Sequence, residues 1–70
     1  MGAPKTADAA FDLVTQSAKA AGQEPGVLIK ATEGAKYVLQ NVGDVKTFIY
    51  KTGEVIVKKG DDVLVRYIPK

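Results

Sequence analysis

GDVKTFIYKTGEVIVKKGDDVLVRYI, residues 43–68, contains three segments that each begin with glycine followed by an acidic residue. Each segment continues into a run rich in β-branched and aromatic side chains. Glycine readily adopts the positive φ that tight hairpin turns need, and such runs suit pleated strands. The last third of the chain is therefore predicted to form an antiparallel β-meander.

The turns of this meander predict which residues face each other. A two-residue turn at Thr52-Gly53 would place Tyr50 opposite Val55, Ile49 opposite Ile56 and Phe48 opposite Val57. A second tight turn uses Gly60, either as Lys59-Gly60 or as Gly60-Asp61. These two options shift the pairing by two residues, so they leave the predicted faces unchanged.

The predicted register makes both faces of the sheet apolar, whereas a half-solvated sheet alternates apolar and polar residues. One face carries Val45, Thr47, Ile49, Ile56, Val63, Val65 and Tyr67. The other carries Phe48, Tyr50, Val55, Val57, Leu64 and Ile68, with Lys46, Lys59, Asp62 and Arg66 toward its edges. A short helix can cover only one face, and we expect it to cover the aliphatic one. The second face then needs another cover.

The N-terminal third is predicted to be a helix over residues 6–22. Thr6 is a suitable N-cap and Gly22 a suitable C-terminal stop. Alanine, phenylalanine and valine recur at helical spacing along one stripe, which would face the sheet. Only Phe11 and Val14 in that stripe are large, so the helix contributes little burial per residue.

Residues 27–42 fit two structures. As strands, residues 27–30 and 36–40 would pair across a turn at Glu33-Gly34. As a helix, apolar residues also recur at helical spacing, but Gly34 would cost that helix about 1 kcal/mol relative to alanine. The strand interpretation gives an α+β fold, in which one N-terminal helix precedes a four- or five-stranded antiparallel meander, either open or curled into a small barrel. The alternative is two helices followed by a three-stranded meander.

The length of 70 residues predicts a single small domain over 1–70, with a flexible start at 1–5, a helix at 6–22 and mainly β-structure at 27–68. Ten basic and eight acidic residues give a net charge of only +2. This slight excess permits attraction to nucleic acid but does not demand it. The N-terminus lacks the apolar core of a signal peptide, which predicts a cytoplasmic or virion-associated protein. The apolar runs are too short for a membrane span.

The sequence contains few of the side chains that enzymes use for catalysis. Histidine and cysteine are absent from the sequence, which removes the usual base, thiol nucleophile and soft metal ligands. The adjacent carboxylates Asp61 and Asp62 would point in different directions from a turn or strand, and Ser17 has no obvious base nearby. We therefore expect a non-enzymatic protein with no cofactor, no metal, no membrane association and no small-molecule substrate.

Two functional hypotheses remain. The first is a small interaction or assembly protein that forms a homo-oligomer, dimeric or higher, or docks a larger protein partner through the second face; its interface would be Phe48, Tyr50, Val55, Val57, Leu64 and Ile68. The second is a nucleic-acid-binding module in which aromatic rings stack on bases and basic side chains follow phosphates. That module would use Lys46, Phe48, Tyr50, Lys59 and Arg66.

Lys58 to Val65 carries a Lys-x-Gly-Asp-x-Val pattern. This short stretch resembles a turn-to-strand sequence of small barrels, including chaperonin-10-like and oligonucleotide/oligosaccharide-binding folds. The resemblance covers about eight residues and reflects turn geometry, so it implies a turn followed by a strand and no particular activity.

Overall fold

One helix precedes an open, five-stranded antiparallel sheet in the computed structural model, which describes residues 5–24 and 26–68. The elements are α1 (Ala7–Ala20), β1 (Val27–Ile29), β2 (Tyr37–Gln40), β3 (Val45–Ile49), β4 (Val55–Lys59) and β5 (Asp62–Tyr67). The strands neighbour one another in chain order, β1-β2-β3-β4-β5. The α+β prediction is confirmed, whereas the sheet does not close into a barrel. The two-helix alternative is wrong, and the flexible start predicted for 1–5 lies, apart from Lys5, outside the described residues.

Both ends of α1 are capped by the residues that the sequence indicates. The Thr6 side chain accepts a hydrogen bond from the Ala9 amide at 3.2 Å, as an N-cap does. After the helix, Gly22 has φ 73° and its amide donates to the Lys19 carbonyl, while the Gln23 amide donates to the Ala18 carbonyl. This pair of bonds is a Schellman motif, which satisfies the last free carbonyls of the helix.

The segment after α1 forms the first hairpin of the sheet. Leu28 pairs with Leu39 and Ile29 with Val38, and the chain reverses at Glu33-Gly34, as the strand interpretation predicts. Both turn residues have positive φ, 56° and 78°, and the Ala35 amide donates to the Thr32 carbonyl at 3.1 Å. Positive φ at both central residues is typical of a type I′ turn, which matches the twist of an antiparallel pair.

The loop between β3 and β4 differs from the prediction. It contains three residues, 51–53, because the Tyr50 amide donates to the Glu54 carbonyl and Ile49 pairs with Val55. Gly53 takes φ 90° as the last loop residue, which suits a turn followed by a glycine bulge. The predicted pairing of Ile49 with Ile56 is therefore wrong by one residue, and a shift of one residue moves every later side chain to the opposite face.

The last hairpin turns at Gly60-Asp61, which is one of the two predicted options, and pairs Lys59 with Asp62. The register then shifts, because Val63 pairs with Lys58 but Val65 pairs with Val57. Leu64 is thus an extra residue in β5, forming a β-bulge that changes which residues share a face.

Each face of the sheet has its own small apolar cluster. On the α1 side, Ala7 and Ala10 pack against Leu39, Ile49 and Val55, with Phe11, Val14, Tyr37 and Val57 partly buried around them. On the other side, Val38 and Phe48 pack with Ala35, flanked by Tyr50 and Ile56. The largest fully buried side chains are Ile49 and Val38, one from each cluster. The central strands therefore hold the fold together from both sides.

Candidate functional site

The six residues predicted as an interface do not share one face. Phe48 and Tyr50 belong to the cluster away from α1, whereas Val55 is buried and Val57 is half-buried against the α1 cluster. The reason is the three-residue loop, which moves β4 by one residue relative to β3. Leu64 and Ile68 lie apart from both clusters, and both are exposed.

The predicted nucleic-acid set is also divided. Lys46, Phe48 and Arg66 share the face opposite α1, since Phe48 pairs with Ile56 and Ile56 with Arg66. Lys59 pairs with Val45 and therefore points to the α1 side. Lys59 therefore cannot join Lys46 and Arg66 in one basic patch.

Lys58 occupies the position beside Phe48 that was predicted for Lys59. Its Nζ atom lies 5.6 Å from the centre of the Phe48 ring and 3.9 Å from the Glu33 carboxylate. Lys58 pairs directly with Lys46 across the strands. The Lys58-Lys59 dipeptide indicates that one lysine of β4 lies on the face opposite α1. The length of the β3–β4 loop decides that this lysine is Lys58 and not Lys59.

Phe48 is only 4% exposed, so its ring belongs to the interior. Tyr50 is half-buried, and burial raises the pKa of its hydroxyl, with the Glu33 and Glu54 carboxylates adding to the rise. Stacking on nucleic-acid bases needs an accessible aromatic face. The aromatic pair on this face is therefore poorly placed to bind bases.

A shallow hollow of about 360 Å³ lies over Phe48. Its lining mixes both charges: Glu33, Asp44 and Asp61 with Lys46 and Lys58. Such a rim offers no field of a single sign to attract a phosphate backbone. The hollow therefore gives no support to a nucleic-acid groove.

A run of uncovered apolar residues lies along β5. Every residue from Asp62 to Tyr67 is exposed, and Val63, Leu64 and Val65 retain 55%, 54% and 57% of their accessible surface. Ile68, which follows the strand, is 58% exposed. Side chains on both faces of β5 are therefore exposed to solvent, whereas β2 and β3 each contribute buried side chains to both faces of the sheet.

The position of α1 explains why β5 is uncovered. The buried contacts of α1 reach Leu39 on β2, Ile49 on β3 and Val55 on β4. Tyr67 pairs with Val55 one strand further out, yet it remains 40% exposed. A single helix of 14 residues covers the centre of the sheet and leaves its last strand open.

The opposite edge of the sheet is short. β1 comprises Val27, Leu28 and Ile29, which are all exposed. Like β5, it presents exposed apolar side chains, but β1 has three residues and β5 has six.

A polar contact joins α1 to the sheet. The Tyr37 hydroxyl donates to the Asp8 carboxylate at 2.5 Å, and the Lys36 ammonium lies 3.7 Å from the same oxygen. The Tyr37 hydrogen bond, helped by the Lys36 charge, lowers the pKa of Asp8, and the Asp8 carboxylate raises the pKa of Tyr37. The Phe11 ring packs on Tyr37 with centroids 5.0 Å apart. The contact orients the helix and lies open to water.

Within residues 5–24 and 26–68, no three acidic, histidine or cysteine side chains come together as metal ligands would. The helix in this part of the chain is too short to cross a bilayer. No protein-family model, curated protein or solved structure matches the chain.

Proposed function

We propose that the protein is a small, non-catalytic assembly module that self-associates through the exposed apolar strand β5. The observation that carries this proposal is the exposure of β5 along its whole length, combined with its position as the last strand of the sheet. Contiguous apolar surface of this kind marks an interaction site more often than a solvated surface.

The energetic argument uses the size of the uncovered surface. Five apolar side chains, Val63, Leu64, Val65, Tyr67 and Ile68, are each about half exposed. Full burial of such side chains is worth about 1.5–3 kcal/mol each, so half of that over five residues is about 4–8 kcal/mol. The net stability of a 70-residue domain is about 4–10 kcal/mol. Complete cover of these side chains is therefore comparable to the whole stability of the monomer, and a strand paired along the edge of β5 recovers the part of it that lies beside that strand.

A second copy of the chain is the partner that fits this surface. The backbone of an edge strand offers unpaired amide and carbonyl groups that another strand can use. Homo-oligomers with closed symmetry are the commonest assemblies of soluble proteins, and a two-fold dimer needs only one self-complementary patch. Asp61 before β5 and Arg66 near its end suit such a partner, since a reversed copy brings an acidic side chain beside a basic one.

Solution mass tests the proposal directly. Light scattering of the wild-type chain across about 5–500 μM should show a concentration-dependent rise from monomer to dimer. Leu64→Lys should remain monomeric over that range, because a charge at a buried position opposes association. A wild-type chain that stays monomeric at the highest concentration would contradict the proposal.

Leu13→Lys is the matched control. Leu13 is also an exposed leucine, 43% accessible, but it lies on α1 and away from β5. The control should dimerise like the wild type. Equal loss of association in both variants would assign the effect to net charge rather than to β5.

The geometry favours assembly over the nucleic-acid hypothesis, because Phe48 is buried and the charges around it are mixed. That hypothesis keeps a clear test of its own. A fluorescent single-stranded oligonucleotide titrated at low salt should show no saturable binding if assembly is the function. Binding that weakens steeply with salt would instead support contacts to phosphates.

A further inference from the structure

Taking the proposed self-association through β5 as its premise, we infer that two copies pair β5 against β5 in antiparallel fashion about a two-fold axis. The product is one continuous sheet with five strands from each copy. Antiparallel pairing about such an axis keeps the two α1 helices on the same side of the joined sheet. The interface is then a strand-to-strand contact rather than a face-to-face contact.

The length and position of β5 support this arrangement. Within the described residues, β5 pairs with β4 on one side only. Its six residues extend over about 20 Å at about 3.3 Å per residue. Antiparallel neighbours exchange backbone hydrogen bonds in pairs, so a second β5 can pair with the outer edge of the first on both sides of the Leu64 bulge.

The charges of β5 favour the antiparallel direction. Asp61 precedes the strand and Arg66 stands near its end, so a reversed second copy brings acid beside base at both ends of the contact. Opposite charges across neighbouring strands stabilise the pairing and like charges destabilise it. A parallel second copy would instead place Asp61 beside Asp61 and Arg66 beside Arg66.

The bulge at Leu64 puts these two charges on the same face. Asp61 lines the hollow over Phe48, on the side away from α1. Arg66 pairs with Ile56, which pairs with Phe48, so it lies on that side as well. Without the extra residue in β5, strand alternation over five positions would put Asp61 and Arg66 on opposite faces.

Arg66 remains available for a partner. It contacts Glu54 at 2.9 Å, yet its side chain is 59% exposed. Asp61 has no ion pair within the described residues. The alternative neighbour, β1, offers three residues and no acidic side chain. The second β5 is therefore the better match in length and in charge.

Single-cysteine crosslinking tests the arrangement, since the chain has no native cysteine. Leu64→Cys lies near the centre of the two-fold contact, so it should form a disulfide with its own copy under mild oxidation. Ile68→Cys is the matched control, because its exposure is similar, 58% against 54%. In an antiparallel pair centred near residue 64, the two Ile68 positions are more than about 20 Å apart. The Ile68→Cys variant should therefore remain uncrosslinked.

The results separate this inference from the proposed function. A dimer by mass that crosslinks through Leu64→Cys and not through Ile68→Cys supports both. Association by mass in which Leu64→Cys crosslinks only to Leu28→Cys on β1, in a mixture of the two variants, overturns the β5–β5 inference and leaves self-association standing. A wild-type chain that is still monomeric at about 500 μM overturns both the β5–β5 pairing and the proposed self-association.

Charge reversal gives an independent test. Asp61→Arg creates two Arg–Arg contacts per dimer and should raise the dimer Kd about tenfold, given the size of two symmetric cross-strand charge pairs. Asp12→Arg changes the charge equally but lies on α1, so its Kd should stay within about twofold of the wild type. Mixing Asp61→Arg with Arg66→Asp should restore association, as both cross-strand pairs are then complementary. Equal Kd values for Asp61→Arg and Asp12→Arg, or no rescue on mixing, would contradict the antiparallel pairing.

Discussion

Asp8 and Tyr37 show how a single contact between exposed groups orients α1 on the sheet. The Asp8 carboxylate has a lowered pKa, so its contribution to stability is present above its unfolded pKa and is lost as pH falls through the folded one. The Tyr37 hydroxyl has a raised pKa, so its contribution is present below about pH 10 and is lost as pH rises further. The contact therefore stabilises the fold across the neutral range and weakens at both extremes.

Tyr37→Phe should make stability less dependent on pH. The substitution keeps the packing against Phe11 but removes the hydrogen bond that chiefly lowers the pKa of Asp8. Urea midpoints measured from pH 2 to 11 should therefore fall less at both extremes than those of the wild type. Ser17→Ala, at an exposed position of α1, is the control and should follow the wild-type profile. A Tyr37→Phe profile that coincides with the wild type would contradict the role assigned to this contact.

The elements were more predictable than their register. Thr6, Gly22 and the Glu33-Gly34 turn mark the element ends because capping and positive φ are local requirements. Loop length is less local, since Gly53 fits both a two-residue turn and a three-residue loop with a glycine bulge. The three-residue loop is the one that brings Val55 and Val57 to the α1 cluster, and this packing is a tertiary contact that the local sequence does not show. For that reason the sequence predicted an excess of apolar surface but assigned that surface to the second face of the sheet, whereas it lies on the edge strand β5.

The β3–β4 loop should be sensitive at Gly53 and tolerant beside it. Gly53 has φ 90°, a conformation that L-residues adopt at a cost of about 1–2 kcal/mol. Gly53→Ala should lower the free energy of unfolding by about that amount in urea titrations followed by circular dichroism. Thr52→Ala, in the same loop at an exposed position, should change it by less than about 0.5 kcal/mol. Equal stability of the two variants would mean that the loop does not require glycine.

At the scale of the whole molecule, two small clusters hold the central strands while both edge strands remain wet. A chain of 70 residues without disulfides has little stability to spare. A partner that binds only the folded state stabilises it by mass action. Folding and assembly of this protein are therefore expected to be coupled through β5.

This coupling predicts a stability that rises with protein concentration. For a folded dimer that dissociates into unfolded monomers, each tenfold increase in concentration adds about 1.4 kcal/mol per dimer above the Kd. Thermal and urea midpoints of the wild type should therefore rise between about 5 and 500 μM, and those of Leu13→Lys should rise in parallel. Leu64→Lys should unfold at one midpoint throughout, because the charge on β5 leaves a monomer whose unfolding is concentration-independent. A constant wild-type midpoint over the same range would show that β5 contributes nothing to stability through association.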